Sequence, residues 1–209
     1  MEFEEVVHSR RAVNYFDTQK AVPDNLIREI IEKAAKSPSS YNLQPWSLII
    51  LSDPEEKALL RRHALNQAKI TEAPYVFIVL ADRDGWKEGH TVVTKNFRKL
   101  VASGRKKEED RAIYINSLTK LYGENPEKQQ AFAVKNSAFF AMSLMLAAKD
   151  VGLDTHPMDG FDHEGVRGAF NIPENYWIPL LLAVGYFDET KKLYDPNWRK
   201  TYDEIVVKF

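Results

Sequence analysis

The chain has 209 residues, 44% of them apolar, with 29 Lys and Arg against 30 Asp and Glu and no cysteine. That length and apolar content can bury one full core and point to a single domain, residues 1–209. The near-zero net charge offers no field for a nucleic-acid backbone or an anionic membrane surface, and the missing thiols exclude disulfides, thiolate catalysis, thiolate zinc sites and iron–sulfur ligation. Any redox chemistry must therefore come from a bound cofactor. The start Met1-Glu2-Phe3-Glu4-Glu5 is acidic where a signal peptide is basic, and no apolar run approaches the ~20 residues of a membrane span, so we expect a cytoplasmic protein.

Phe3, Val6 and Val7 share a face of a first helix over 2–9. Pro23-Asp24 opens a second, with Leu26, Ile27, Ile30, Ile31, Ala34 and Ala35 as its apolar stripe, ending at Ser37-Pro38. Residues 38–45 read as loop and Trp46–Leu51 as a strand. Asp53-Pro54-Glu55-Glu56 is an N-cap, N1 proline and acidic first turn, and Tyr75–Ala81 is a continuously apolar strand. Residues 84–128 form a charged, variable helical excursion, whose run Gly104 to Asp110 reads as a solvated turn of mixed sign. Residues 129–149 are apolar nearly all round, as in a helix buried by its own domain and by a partner, and Gly152 supplies a left-handed stop. A short helix near 162–170 precedes a strand over Tyr176–Val184, where Pro179 indicates an edge or a bulge. The tail 186–209 is polar and closes on Ile205-Val206-Val207, a short strand with little of its own chain to pair with. The fold class is α+β, a small mixed and mostly antiparallel sheet wrapped by helices.

Common catalytic signatures are missing: there is no GxGxxG unit, no GxxxxGK[ST] loop, no GxSxG elbow and no HExxH pair. The five histidines are scattered, which leaves no metal site, and only His156 lies near another candidate group, Asp159. Three basic sites occupy loops or element ends: Arg10-Arg11, Lys69 at the end of the helix before the second strand, and Arg199-Lys200. Each alone reads as a solvated surface group; converged, they would present guanidinium forks and an ammonium to a phosphate or a polarised heterocycle. The segment from Ser37 to Trp46 carries two prolines, three serines and two amides, and fits either a cradle for a polar ring system or a set of turns capping both neighbours. Asp154 to Phe161 reads as a loop in which Gly160 permits close approach of backbone amides to a ligand.

The blocks Ser9 to Phe16, Ser37 to Trp46, Asn66 to Lys69, Pro157 to Phe161, and Arg199 with Asp203-Glu204-Ile205 resemble, in that order, the nitroreductase family of FMN enzymes. The resemblance implies a nitroreductase-like fold and an intertwined homodimer with FMN at the subunit interface, the tail 186–209 reaching the partner. It implies that Arg10, Arg11, Ala12 and Asn14 meet the FMN phosphate, ribityl chain and pyrimidine edge, with Arg199 closing on the phosphate. Pro38, Ser39, Ser40 and Asn42 would reach the flavin of the partner subunit. Asn66 or Gln67 and Lys69 would meet the pyrimidine edge, and backbone groups of Met158, Asp159 and Gly160 the central-ring nitrogen that receives hydride. No protein residue is then catalytic in its own right. NADH or NADPH would reduce the flavin, and a nitroaromatic, quinone or similar electron-poor acceptor would take the electrons in ping-pong fashion. Enone reduction, dehalogenation or other flavin chemistry on the same fold, and non-catalytic FMN binding, are the rival readings. Many family members carry a cation where this chain has Asn14 and Asn197, so Lys69 takes a larger share of the charge at the pyrimidine end. Of two readings of Tyr114, a gate on an acceptor slot and an ordinary packing tyrosine, the second is preferred.

Overall fold

The structure, a computed structural model, describes residues 1–208. Helices α1 (Phe3–Ser9) and α2 (Asp24–Ala34) precede strand β1 (Trp46–Leu51), and α3 (Pro54–Arg62) and α4 (Lys69–Glu72) lead into β2 (Tyr75–Asp82). Three helices follow: α5 (Thr91–Ala102), α6 (Arg111–Tyr122) and α7 (Pro126–Asp150). The chain continues through β3 (Asp154–Met158), α8 (His163–Ala169), β4 (Tyr176–Gly185) and α9 (Tyr202–Ile205). The strands form one sheet in the order β1-β2-β4-β3, and every ladder is antiparallel. The parallel component is an isolated bridge from Ala12 to Thr155.

β2 is apolar up to Ala81 because both of its faces are covered. Val76, Ile78 and Leu80 join a cluster with Leu60, Ile70 and Val166 on one side, while Phe77 joins Ile30, Phe140 and Leu144 on the other. A third cluster, with Phe97, Tyr114, Leu118 and Phe132, packs the excursion against the first half of α7. The Asp53 carboxylate accepts from the amides of Glu55 and Glu56, which is the cap read from the sequence.

Several expectations change. Residues 154–158 are a strand, not a loop: Thr155 and Met158 are buried and the segment pairs with β4 from Asp154↔Gly185 to Met158↔Leu181. Pro157 is tolerated because β3 is an edge strand. Pro179 lies on a central strand, where the register slips between Val79↔Leu180 and Ala81↔Trp177, so the bulge and not the edge accommodates it. α2 stops at Ala34, and Ser37 closes the turn by donating from Oγ to the Ala34 carbonyl. Ile205-Val206-Val207 is not a strand within this chain; Tyr202–Ile205 is a helical turn boxed by Thr201 and Glu204. α7 is long and apolar enough to cross a membrane by length and composition, contrary to the reading above, and half of that stretch is packed inside the fold. Its buried stripe runs Phe132, Asn136, Phe140, Leu144 and Ala147, while Phe139 and Met142 are exposed, Met142 beside Phe3 and Val7 of α1.

Gly185 closes β4 where no side chain fits: a Cβ there would lie 2.5 Å from the Pro74 ring and 3.0 Å from Phe16. Gly168, in α8, meets nothing within 4 Å. We expect Gly185→Ala to destabilise the fold by ~1–3 kcal/mol through overpacking, and Gly168→Ala to be neutral or to stabilise it by up to ~1 kcal/mol. Urea denaturation at fixed protein concentration checks the pair; equal effects at the two sites would contradict it.

Candidate active site

The segment after α1 is drawn along β3. The Val13 amide donates to the Thr155 carbonyl at 3.1 Å, and further on the Asp17 amide donates to Tyr186 O at 2.9 Å and the Asp188 amide to Tyr15 O at 3.2 Å. These bonds set the first residues beside the tail, and a cleft of about 320 Å³ opens between them, lined by Arg10, Arg11, Asn14, Lys192, Asn197 and Arg199. Burial lowers the pKa of Arg10, and the charges of Arg199 and Arg11 lower it further; no carboxylate offsets them. Arg11 and Arg199 are steadied by carbonyls, Arg11 by His8 O at 2.6 Å and Arg199 by Asn197 O at 3.0 Å. Asp195 also lines the cleft, where Arg10, Arg11, Lys192 and Arg199 outnumber it, and guanidiniums gathered in such excess at a half-buried concavity match a bound anion.

Lys69 does not end a helix; it opens α4, a single turn. Its ammonium donates to Asn14 Oδ1 at 3.2 Å and lies 3.2 Å from His156 Nε2. His156 Nδ1 lies 2.8 Å from the Val13 carbonyl, which can only accept, so Nδ1 carries the proton and Nε2 offers its lone pair to Lys69. Burial and the Lys69 charge lower the His156 pKa, partly offset by the Val13 bond, and this keeps the imidazole neutral at pH 7. Burial likewise lowers the pKa of Lys69, against a smaller opposing effect of Glu72. His156 thus works with Lys69, not with the neighbouring Asp159.

Gln67 Nε2 donates to the Gly160 carbonyl at 3.0 Å, and the Asp162 amide donates to His63 O at 2.8 Å, which ties the loop after α3 to the loop after β3. Asn66 turns its Oδ1 to Arg61 Nε at 2.8 Å. A Cβ on Gly160 would lie 3.0 Å from Leu65 Cδ1, so the missing side chain leaves the backbone open there. Met158 is buried under this surface and Asp159 is exposed.

The 38–45 segment stands apart. Ser39 Oγ accepts from the Gln44 amide at 3.0 Å, the Ser40 amide donates to Asn136 Oδ1 at 2.9 Å, and Asn42 Nδ2 donates to Asn96 Oδ1 at 3.1 Å. Asn96 lies on α5 and Asn136 on α7, and no hydrogen bond among the described residues joins Pro38, Ser39, Ser40 or Asn42 to Arg10, Lys69 or Arg199. Within one chain the structure therefore unites Arg10, Arg11, Asn14, Lys69 and Arg199, and places Asn66, Gln67 and Gly160 on two loops tied to each other.

Six non-glycine residues have positive φ: Tyr41, Asn42, Gln44, Leu65, Asn66 and Asn171. All but Asn171 sit on the two loops that carry candidate residues, and backbone held in the left-handed region gathers at ligand sites. Sequence reading missed His156 as the partner of Lys69 and missed Lys192 in the cleft. Nothing local marks either one, because His156 faces a residue 87 positions away and Lys192 lies in a polar tail.

The "Nitroreductase family" model matches residues 7–186. A curated relative, the NADH dehydrogenase of Thermus thermophilus, is 33% identical over 95% of this chain and 91% of its own length. The structure of ydfN from Bacillus subtilis superposes with a TM-score of 0.90 at 25% identity, covering 100% of this chain and 99% of that one. A structure from Exiguobacterium sibiricum, solved in complex with FMN, superposes with a TM-score of 0.83 at 25% identity, covering 99% and 96%. The ordered blocks, the fold they adopt and a family match that takes in most of the chain agree, and the chain belongs to the nitroreductase family.

Proposed function

We propose that the chain binds FMN and acts as an NAD(P)H-dependent oxidoreductase on nitroaromatic, quinone or similar electron-poor acceptors. The observation that carries this reading is the convergence of Arg10, Arg11 and Arg199 on one concavity, where the charges of Arg199 and Arg11 depress the pKa of Arg10. The residues fit the cofactor: guanidinium forks suit a phosphate dianion, Lys69 and Asn14 lie next along the same wall for a heterocycle edge, and Gly160 leaves backbone open to a flat ring. When bound, FMN supplies the hydride acceptor and donor that the side chains lack.

The protein's own part is orientation and charge. Arg10, Arg11 and Arg199 anchor the phosphate, with Ala12 beside the ribityl chain. Lys69 places an ammonium at the pyrimidine edge, where negative charge gathers on reduction, and His156 and Asn14 hold that ammonium in place. Met158, Asp159 and Gly160 bring backbone to the central ring, with Asn66 or Gln67 at the pyrimidine side.

The chain works as a homodimer in this reading. Pro38, Ser39, Ser40 and Asn42 do not line the cleft that holds Arg10 and would serve the partner's cofactor. Met142 (43% exposed) of α7 lines one surface hollow with Phe3 (72%) and Val7, and Phe139 (47%) lies one turn before Met142 on the same helix, exposed apolar residues of the kind an isologous interface covers.

The purified protein is expected to show flavin absorption bands and to release FMN at about one per chain on heating; a colourless protein that takes up no added FMN would refute the reading. Arg10→Ala and Arg199→Ala should each weaken FMN binding by about 10- to 100-fold in a fluorescence titration, the usual loss of a charge-assisted contact. Lys69→Ala should lower the flavin midpoint potential, with Lys69→Arg closer to wild type, and dye-equilibrated reduction would show it; an unchanged potential in Lys69→Ala removes the lysine from the flavin edge. Phe139→Glu should shift sedimentation toward monomer and lower FMN retention together, whereas loss of the dimer with FMN retained would separate the interface from the site.

A further inference from the structure

A second cleft, of about 510 Å³, lies between the 38–45 loop, α5 and the turn leading to α6. Three cations line it: Lys99, Arg105 and Lys106. No acid lines it, and of the acids nearby Glu109 pairs with Lys107, Glu88 pairs with Arg111, and the Asp110 carboxylate accepts from the Lys107 amide. Arg105 gives its Nε to Ser103 Oγ, which leaves its terminal nitrogens free to grip an anion. Gly104, at φ 71, turns the chain so that the amides of both Arg105 and Lys106 bond back to the Leu100 carbonyl, and this brings the two side chains beside Lys99.

The rest of the lining is aromatic and amide. Tyr41 is 46% exposed and meets Tyr114 edge-on, with centroids 6.0 Å apart, so a Tyr41 face is open to stacking. Tyr114 is only 4% exposed and its hydroxyl has no hydrogen-bond partner among the described residues. A buried hydroxyl without a partner is a costly arrangement that a ligand oxygen would relieve. Burial and the neighbouring tyrosines push the Tyr114 pKa up, so the group stays a proton donor. Asn42 and Asn96 bond each other and hold the loop wall in place.

We propose that this cleft is a substrate subsite that seats the anionic group of a planar aromatic ligand, its ring against Tyr41 and its phosphate or carboxylate on Lys99, Arg105 and Lys106. The proposal rests on the reading that Asn42 and its loop face the flavin of the partner subunit, which places the cleft at the mouth of the reacting site. The anion could arrive on the electron donor, as the 2′-phosphate of NADPH, or on the acceptor, as a ring carboxylate.

The test uses the FMN-loaded protein and the double variant Arg105→Gln/Lys106→Gln, whose exposed or half-buried side chains the core does not need. Two ratios of kcat/KM are measured, NADPH over NADH and 4-nitrobenzoate over 4-nitrobenzyl alcohol. One ratio should fall about tenfold, and which one identifies the source of the anion. Tyr114→Phe should lower the same ratio by a smaller factor. Binding of 2′,5′-ADP against 5′-AMP, and of 4-nitrobenzoate itself, followed by calorimetry on wild type and variant, supplies a readout independent of turnover. Unchanged ratios together with unchanged binding overturn the subsite, and so does an equal fall for all four substrates. A wild type that holds no FMN and oxidises neither nicotinamide defeats the broader reading instead, and in that case the calorimetric arm still decides the cleft.

Discussion

The cationic cleft depends on a backbone attachment. Arg10, Arg11 and Arg199 repel one another, and their proximity persists only because the fold holds it. Residues 12–16 are fixed to the edge of the sheet by the Val13 amide on Thr155 and by the Phe16↔Phe187 bridge, and the tail is drawn in by the bonds exchanged between Tyr15, Asp17, Tyr186 and Asp188. His156 adds a side-chain bond to the same segment through the Val13 carbonyl. One attachment therefore performs two tasks: it gathers charge for a phosphate, and it orients the imidazole that receives the Lys69 ammonium. Loss of the β3 edge would release both together.

α7 has a comparable double role. Its buried stripe carries the sheet on one side, and the Asn136 amide, fully buried, reaches the Ser40 amide and so anchors the 38–45 loop. Its outward residues Phe139 and Met142 stay uncovered. A helix whose apolar residues exceed what its own chain can bury shows in the sequence as a pattern without a polar face, and this is why periodicity alone leaves its orientation undetermined.

The legible parts of the fold were those written locally. β1, the Asp53 cap, the glycine stop after α7 and the apolar β2 each follow from a few adjacent residues. β3 was not legible, because Asp154 to Met158 alternates weakly and contains a proline; only pairing with β4 makes it a strand. Pro179 signalled irregularity correctly but not its kind, since edge and bulge leave the same mark in one strand and differ only in the neighbour. Ile205 to Val207 has strand composition without a strand partner in its own chain, and the capping box at Thr201 and Glu204 turns the chain into a helix just before it. In the site, the block order singled out Arg10, Lys69 and Arg199 as candidates, while the mutual positions of Lys69, Asn14 and His156 arise from contacts across the sheet edge that no spacing encodes.

Arg10 and Arg199 lie near opposite ends of the described chain, with the whole sheet between them. During synthesis Arg10 and Arg11 emerge early, and Arg199 follows only after every strand of the sheet has been translated. Non-local closure of this kind comes late in folding. The cleft is thus completed only by the last stretch of the described chain, and a chain ending before residue 199 would leave Arg10 and Arg11 without their counterpart across the anion cleft.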